Sequence, residues 1–299
     1  MLGSGQQHLQ ITDRSVTGVH HAHCRLYQTG SRQRPDPGAS GHQHHRQGVP
    51  AIINPFDVFA IEEALRLKDR FGGRVTVLTM GPPQAEDALR KAIAYGADDV
   101  ILLTDRAFAG ADTLATSFAL AQTIRKIGEE HPVDLVFTGK QTIDGDTAQV
   151  GPGVARRLGL QLLTYVSAID TLDLAERSIT VRRRSEGGVQ VIRTRLPALI
   201  TMLEGSNQIR FAGMDDMFRS ARFEVPKWNK ERAGIEDVSK IGLKGSPTVV
   251  SKIFTPKPRA VKAQMIGADL DADGTANAIL DILSSQHPRL AQELGLITP

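Results

Sequence analysis

Between Gly139 and Pro152 the chain reads Gly-Lys-Gln-Thr-Ile-Asp-Gly-Asp-Thr-Ala-Gln-Val-Gly-Pro, and here its chemistry is most legible. The glycines permit tight backbone turns. Asp146-Thr147 falls where a helix begins, and the free backbone N–H groups of a helix start attract a phosphate. Thr147 and Gln149 can add side-chain hydrogen bonds to phosphate or ribose. Asp144 and Asp146 would repel a phosphate and suit a ribose hydroxyl or a helix cap. An ordinary capped helix after a turn is the other reading, and the residues alone leave both open. Two further loops belong with this one: Asn54-Pro55-Phe56-Asp57 before a helix, and Met80-Gly81-Pro82 after a strand.

Other chemistries lack their residues. Seven of the nine histidines lie in residues 1–48, which leaves only His131 and His287 elsewhere and no Ser–His–Asp set. No Gly-x-Gly-x-x-Gly opens a helix after a strand, and no Gly-x-x-x-x-Gly-Lys-Ser/Thr loop is present. Cys24 is the single cysteine, which excludes an internal disulfide and any Cys-based zinc or iron–sulfur site and fits a reducing, cytoplasmic setting. The net charge of +3 is evenly spread, with no basic stripe interleaved with aromatics, so nucleic acid is not an expected partner. No run reaches about 18 uncharged apolar residues, so no membrane span is expected. With 40% hydrophobic and 23% charged residues, wholesale disorder is excluded.

The elements that must position these loops follow from periodicity. Phe56, Phe59, Ala60, Ala64, Leu65 and Leu67 predict a helix over 56–71, stopped by Gly72-Gly73. Strands are expected at 74–79, 99–103 and 133–138, and helices at 84–95, 112–130 and 147–158. Alternating strands and helices with short connections predict a parallel sheet covered on both faces. Ligands bind such sheets at the carboxyl ends of the strands, where the three loops lie. Further strands are expected at 161–169, 178–184, 189–195 and 198–203, with Glu186-Gly187-Gly188 as a hairpin turn. Arg182, Arg183 and Arg184 read as a solvated strand, with phosphate binding as the lesser reading. Residues 204–260 read as an extended arm that needs a partner to lie on. A last helix is expected within 275–294, broken at Pro288.

The first 48 residues differ from the rest: rich in histidine and glutamine, and almost without apolar periodicity. Residues 1–20 have neither the charged start nor the apolar run of a signal peptide. The cluster Gly41-His42-Gln43-His44-His45 would bind metal only adventitiously, so no metal site is expected.

Together, Ile53-Asn-Pro-Phe56, Glu62-Glu-Ala-Leu-Arg-Leu-Lys68, Met80-Gly-Pro-Pro83, Gly96-Ala-Asp98 and Gly139-Lys-Gln141 resemble the beta subunit of electron transfer flavoproteins, over about 48–256. Ile143-Asp-Gly-Asp-Thr-Ala-Gln-Val-Gly-Pro152 and Ile241-Gly-Leu-Lys-Gly-Ser-Pro-Thr248 are similar to the electron-bifurcating branch, whose subunits partner acyl-CoA dehydrogenase or lactate dehydrogenase enzymes. The resemblance implies a Rossmann-like, adenine nucleotide α-hydrolase-like fold: a doubly wound parallel sheet with extra strands and an extended C-terminal arm. It implies a redox carrier subunit in a heterodimer with an FAD-bearing alpha subunit. The beta site holds AMP in ordinary members. In bifurcating members it holds a second FAD, reduced by NADH, with one electron passing to the alpha subunit and one to ferredoxin or flavodoxin.

Carried over by matching position, the nucleotide contacts are Asn54, Pro55, Phe56 and Asp57; Met80; and Gly139, Lys140, Gln141, Thr142, Ile143, Asp144, Gly145, Asp146, Thr147, Ala148, Gln149 and Val150. No side chain is expected to act as acid, base or nucleophile. The family's partner loop has an Asn-Glu-Pro-Arg core. Here it reads Asn207-Gln208-Ile209-Arg210, so Asn207 and Arg210 match and the middle departs. The implied organisation is an atypical leader at 1–48, a nucleotide-binding domain at 49–205, a partner-binding arm at 206–260 and a helical segment at 261–299. Three alternatives stand beside this reading: a non-bifurcating carrier with structural AMP, an adenine-nucleotide sensor of the universal-stress type, and a non-functional product of a damaged reading frame.

The leader departs most from the family, which opens with a central strand ending in Cys-(Val/Ile)-Lys-Gln-Val-Pro-Asp. Displaced by one base, codons for His21 to Arg32 can read Met, His or Arg, Ile, Val, Val, Cys, Ile, Lys, Gln, Val, Pro, Asp. Residues 1–20 are then upstream non-coding sequence, 21 to about 45 an out-of-frame translation, and the frame returns near Arg46-Gln47-Gly48. On this reading the leader histidines and Cys24 have no function, and the chain lacks a central strand.

Overall fold

A computed structural model of the chain describes residues 15–19, 52–143, 145–249, 266 and 269–295. The chain divides into two compact units, Met1–Ser251 and Lys252–Pro299.

In the first unit, helix α1 (Pro55–Phe71) begins on a proline, whose fixed φ suits the first helical position and whose missing N–H is not needed there. Ala60, Ile61, Ala64 and Leu65 recur at helical spacing and are buried; Gly72, at φ 75°, ends the helix. Strand β2 (Arg74–Met80) follows, then helix α2 (Glu86–Ala94), strand β3 (Asp99–Leu103), helix α3 (Thr113–Glu130), strand β4 (Val133–Gly139) and helix α4 (Val150–Leu158). Asp112 caps α3, accepting from the N–H groups of Leu114 and Ala115. Strands β5 (Gln161–Asp173), β6 (Ser178–Ser185) and β7 (Gly188–Arg195) form an antiparallel meander, and β8 (Ala198–Met202) returns to pair in parallel with β4 and β5.

Alternate residues of the strands face opposite ways. Val75, Val77, Leu135 and Phe137 pack with α1 and α2; Leu78, Leu103, Val136 and Leu199 pack with α3 and α4. Helices therefore cover both faces, the doubly wound arrangement expected. Among the described residues the sheet has nine strands in the order β7-β6-β5-β8-β4-β1-β2-β3-β9, where β1 is Ser15–Val19 and β9 is Lys227–Trp228.

Four departures from the sequence reading are physical. First, the central position is filled. Strand β1 lies in parallel between β2 and β4, with Gly18 opposite both Val77 and Phe137. Three of its five residues, Val16, Thr17 and Val19, are β-branched and favour strands, although the surrounding leader shows no pattern. The rest of the leader, Cys24 and the histidine cluster lie outside the described residues. Second, α4 starts at Val150 rather than Thr147, because Asp146 and Ala148 take left-handed φ values of 53° and 54°. Third, the 204–260 stretch contains a helix, α5 (Met214–Arg222), and strand β9. Fourth, much of that stretch packs on the sheet unit itself: Val225, Ala233, Ile235 and Ile241 are buried.

In the second unit, helix α6 (Ala272–Gln286) is capped by Asp271, which accepts from Gly274 N–H. Helix α7 (Pro288–Glu293) starts on the proline expected to break the run.

Candidate functional site

The chain runs from β1 outward through β2 and β3, then crosses to β4 on the other side. The order therefore reverses between β1 and β4, and it is at such a reversal, in the crevice outside the carboxyl ends of the strands, that open α/β sheets bind ligands. Two of the three sequence-picked loops meet at this point. Asp57, 2% exposed, accepts the Gly139 N–H through Oδ1 at 2.6 Å and the Asn54 Nδ2 through Oδ2 at 2.9 Å. Asn54 Nδ2 also donates to the Gln141 carbonyl at 2.9 Å. The N-terminus of α1 is thus bonded to the loop that follows β4. Gly139 is required: a Cβ there would lie 2.6 Å from the carbonyl carbon of Phe56 and 2.8 Å from Asp57 N. Pro55 is exposed and Phe56 half-buried.

Beyond Gly139 the loop folds on itself. Gln141 Nε2 donates to Asp146, Asp146 N–H to the Thr142 carbonyl at 3.1 Å, and Gly145 N–H to Thr142 Oγ1 at 3.3 Å. Ile143, Gly145, Asp146, Thr147 and Gln149 are exposed. Asp144 lies outside the described residues. Gln149 occupies the cap position of α4, and its side chain makes no cap bond; its own N–H donates to Thr147 Oγ1 at 3.5 Å. Its own carboxamide oxygen accepts from Thr113 Oγ1 at 3.0 Å, tying the loop to the start of α3. The α4 backbone is pressed onto its neighbours. A Cβ on Gly151 would lie 2.9 Å from Thr138 Oγ1, and one on Gly153 would lie 2.7 Å from Ser117 Oγ.

Lys140 leaves the end of β4 and its ammonium sits 4.7 Å from the centre of the Phe56 ring. It pairs with Glu204 at 3.0 Å, and this bond from Lys140 holds the Glu204 carboxyl below the ordinary carboxylate range. Met80 is separate from these contacts. It ends β2, one strand beyond β1, and packs against the core on the α3 side.

Asn207 and Arg210 sit elsewhere, along the outer side of α1. Asn207 Nδ2 donates to the Phe59 carbonyl and to Glu63 Oε2, both at 2.9 Å. Arg210 bonds Glu62 through Nε at 2.9 Å and Asp69 through Nη2 at 2.7 Å. Both side chains are spent on holding their own loop to α1. Beside exposed Gln208, Asp215 and Arg219, that stretch presents large apolar side chains outward: Phe211 is 99% exposed, and Met214, Met217 and Phe218 of α5 are all more than half exposed. Sequence reasoning missed these residues. The signal was available, since apolar side chains on a short polar helix are either core or contact surface. An open groove of about 460 Å³ beside this loop is lined by Arg66, Gly205, Asn207 and Gln208.

Of the arginine run, Arg184 lies 4.0 Å from Glu204, the partner of Lys140, and the other two are engaged on the meander. Arg182 pairs with Asp170 at 2.8 Å and Arg183 donates to the Thr164 carbonyl at 3.1 Å.

Comparison with known proteins decides the family. Residues 43–233 match the model of the electron transfer flavoprotein domain. The chain belongs to the electron transfer flavoprotein family. It is 65% identical over 251 residues to the protein FixA of Azotobacter vinelandii, covering 84% of this chain and 89% of that one. It is 58% identical over 253 residues to the protein FixA of Bradyrhizobium diazoefficiens, covering 84% and 87%. It is 43% identical over 242 residues to the electron transfer flavoprotein subunit beta of Clostridium acetobutylicum, covering 81% and 89%. Membership makes this an electron-transfer protein with the α/β fold described. Among the described residues, no helix is long and apolar enough to cross a membrane.

Proposed function

We propose that the chain is the beta-type subunit of a heterodimeric electron transfer flavoprotein and holds an adenine nucleotide, FAD in the bifurcating reading, at the β1/β4 crevice. One observation carries this reading: Asp146 and Ala148, neither a glycine, both adopt left-handed φ at the uncapped start of α4. Such conformations cost energy and persist where the surroundings demand them, commonly at ligand sites. Alternating left- and right-handed residues also turn successive N–H groups toward one concave side, which favours an anion.

The residues fit the group. The backbone N–H groups from Thr147 to Gly151 bind phosphate, and the Thr147 hydroxyl and Gln149 carboxamide orient it. Lys140 supplies the positive charge, and the Phe56 ring supplies an apolar wall. Asp57, Asn54 and Gly139 hold the two loops at a fixed separation. A flavin held by these residues would supply hydride acceptance from NADH and single-electron transfer. The protein's own work is to bind, orient and keep water away; none of these side chains transfers a proton in the reading.

The relatives support the beta-type assignment. The Ile143–Pro152 and Ile241–Thr248 runs support the bifurcating branch. In this reading the other partners are an acyl-CoA or lactate dehydrogenase-like enzyme and a ferredoxin or flavodoxin in the cytoplasm. The exposed Phe211 and Met214 form a protein contact surface held in place by Asn207 and Arg210. The test is titration of AMP and FAD into wild type and Ala148→Pro, which cannot take the positive φ and lacks the N–H. Loss of at least tenfold in affinity with the fold retained supports the site; unchanged affinity refutes it.

We also propose that residues 21 to about 45 are translated out of frame. The support is the codon arithmetic at His21 to Arg32 and the family match beginning at residue 43. The coding DNA decides: if no single-base displacement restores Cys-Ile-Lys-Gln-Val-Pro-Asp, the proposal fails.

A further inference from the structure

Glu204 follows β8 directly, in the stretch Leu203-Glu204-Gly205, and is not among the nucleotide contacts considered above. It nevertheless reaches Lys140, at the start of the loop that follows β4. Lys140 Nζ is 3.2 Å from Glu204 Oε1 and 3.0 Å from Oε2, so both carboxylate oxygens share one ammonium. The Lys140 side chain is 17% exposed and packed on the Phe56 ring, whereas that of Glu204 is 45% exposed. A second cation is at hand: Arg184 Nη1 lies 4.0 Å from Glu204 Oε1.

From this geometry we infer that Glu204 is an internal competitor for the nucleotide's phosphate, neutralising Lys140 until an anionic ligand displaces it. The inference rests on the nucleotide-site reading. A phosphate approaching α4 and Lys140 meets a cation already paired. To gain Lys140 it must break a partly exposed ion pair, and it must tolerate a nearby carboxylate. Arg184 lowers the cost of release by offering Glu204 another partner. Glu204 is therefore a positioning and affinity-setting residue, acting on the ligand through Lys140. It also makes the site selective, because only a ligand carrying enough negative charge repays the broken pair.

The sign of the effect separates this role from a merely structural one. Glu204→Gln keeps shape and hydrogen-bonding capacity but removes the competing charge. A partly exposed ion pair is worth enough that AMP is expected to bind about two- to fivefold tighter. Adenosine, which has no phosphate, is expected to bind unchanged. A structural contact would instead give weaker binding of both.

The experiment is calorimetric titration of AMP and of adenosine into the full-length chain, as wild type, Glu204→Gln, Lys140→Gln and the double variant. The expected result is tighter AMP binding in Glu204→Gln, no change for adenosine, and no effect of Glu204→Gln once Lys140 is gone. Equal or weaker AMP binding in Glu204→Gln, with wild type binding normally, overturns the inference and leaves the nucleotide site standing. If wild type binds neither AMP nor FAD, the site reading itself fails, and this inference with it.

Discussion

Asp57 Oδ1 accepts the backbone N–H of Gly139 at 2.6 Å across 82 residues of sequence, in a place where Asp57 is 2% exposed. The same carboxylate takes the Asn54 side-chain amide through its other oxygen. One buried group thus joins the start of α1 to the end of β4, and these are the two sides of the crevice.

Asp57→Ala takes the acceptor from the Gly139 N–H in a buried place and leaves the Asn54 amide with the Gln141 carbonyl alone. A loss of about 1–3 kcal/mol is expected for such an orphaned donor, read by urea denaturation. Nucleotide affinity is expected to fall as well, because the loops lose their common anchor. Gly139→Ala is expected to behave similarly, since its Cβ would meet backbone at 2.6 Å rather than a movable side chain.

Ala148 gives the opposite sign. Ala148→Gly removes the Cβ strain of φ 54° while keeping the N–H. Stability is expected to rise by about 0.5–1 kcal/mol, with AMP affinity within about twofold of wild type. A destabilised Ala148→Gly would mean that the loop is not strained.

Which parts were legible follows from where the information lay. The helices and strands from Pro55 to Leu158 were readable because Ala60, Ile61, Ala64 and Leu65, or Val75 and Val77, repeat with the period of their element. The crevice loops were readable because glycine and helix-start residues mark them. Strand β1 was hidden, since five residues in a histidine-rich leader are too few for a period to show. The late start of α4 was hidden because Asp146 and Ala148 take a conformation that no propensity assigns to them. Helix α5 was hidden because Ser220 is its only buried residue, and its apolar side chains face outward. The roles of Asn207 and Arg210 as anchors depend on Glu62, Glu63 and Asp69, nearly 150 residues away in sequence, and no local pattern announces that.

The acid limb of stability is set by carboxylates below their ordinary values. Burial opposes ionisation of Asp112, but bonds from Ala115, Thr248 and Leu114 outweigh it, and the carboxyl stays below its ordinary 3.8. The N–H of Ala107 chiefly lowers Asp105, and Lys227 then Arg90 lower Glu86 below 4.5. A depressed folded value stabilises fully above the unfolded value and is lost as pH falls through the folded one. Melting temperature is therefore expected to be flat above about pH 5 and to drop below it. Asp112→Asn, which keeps a capping side chain, is expected to shrink that drop; Asp112→Ala costs about 1 kcal/mol at pH 7. An unchanged acid slope in Asp112→Asn would contradict this account.

Phe211→Asp and Met214→Glu change exposed side chains. Stability is expected to stay within about 0.5 kcal/mol of wild type. Association with the partner protein, followed by surface plasmon resonance, is expected to weaken at least tenfold. Unaltered association would remove this surface from the contact.

The most direct test of the nucleotide site is its content. The chain is co-expressed with its alpha subunit, the purified complex is denatured, and released FAD and AMP are quantified. The account predicts about two FAD per heterodimer. One FAD with one AMP would keep the site and exclude bifurcation. One FAD and no second nucleotide would contradict the central claim, because the crevice between β1 and β4 would then hold nothing.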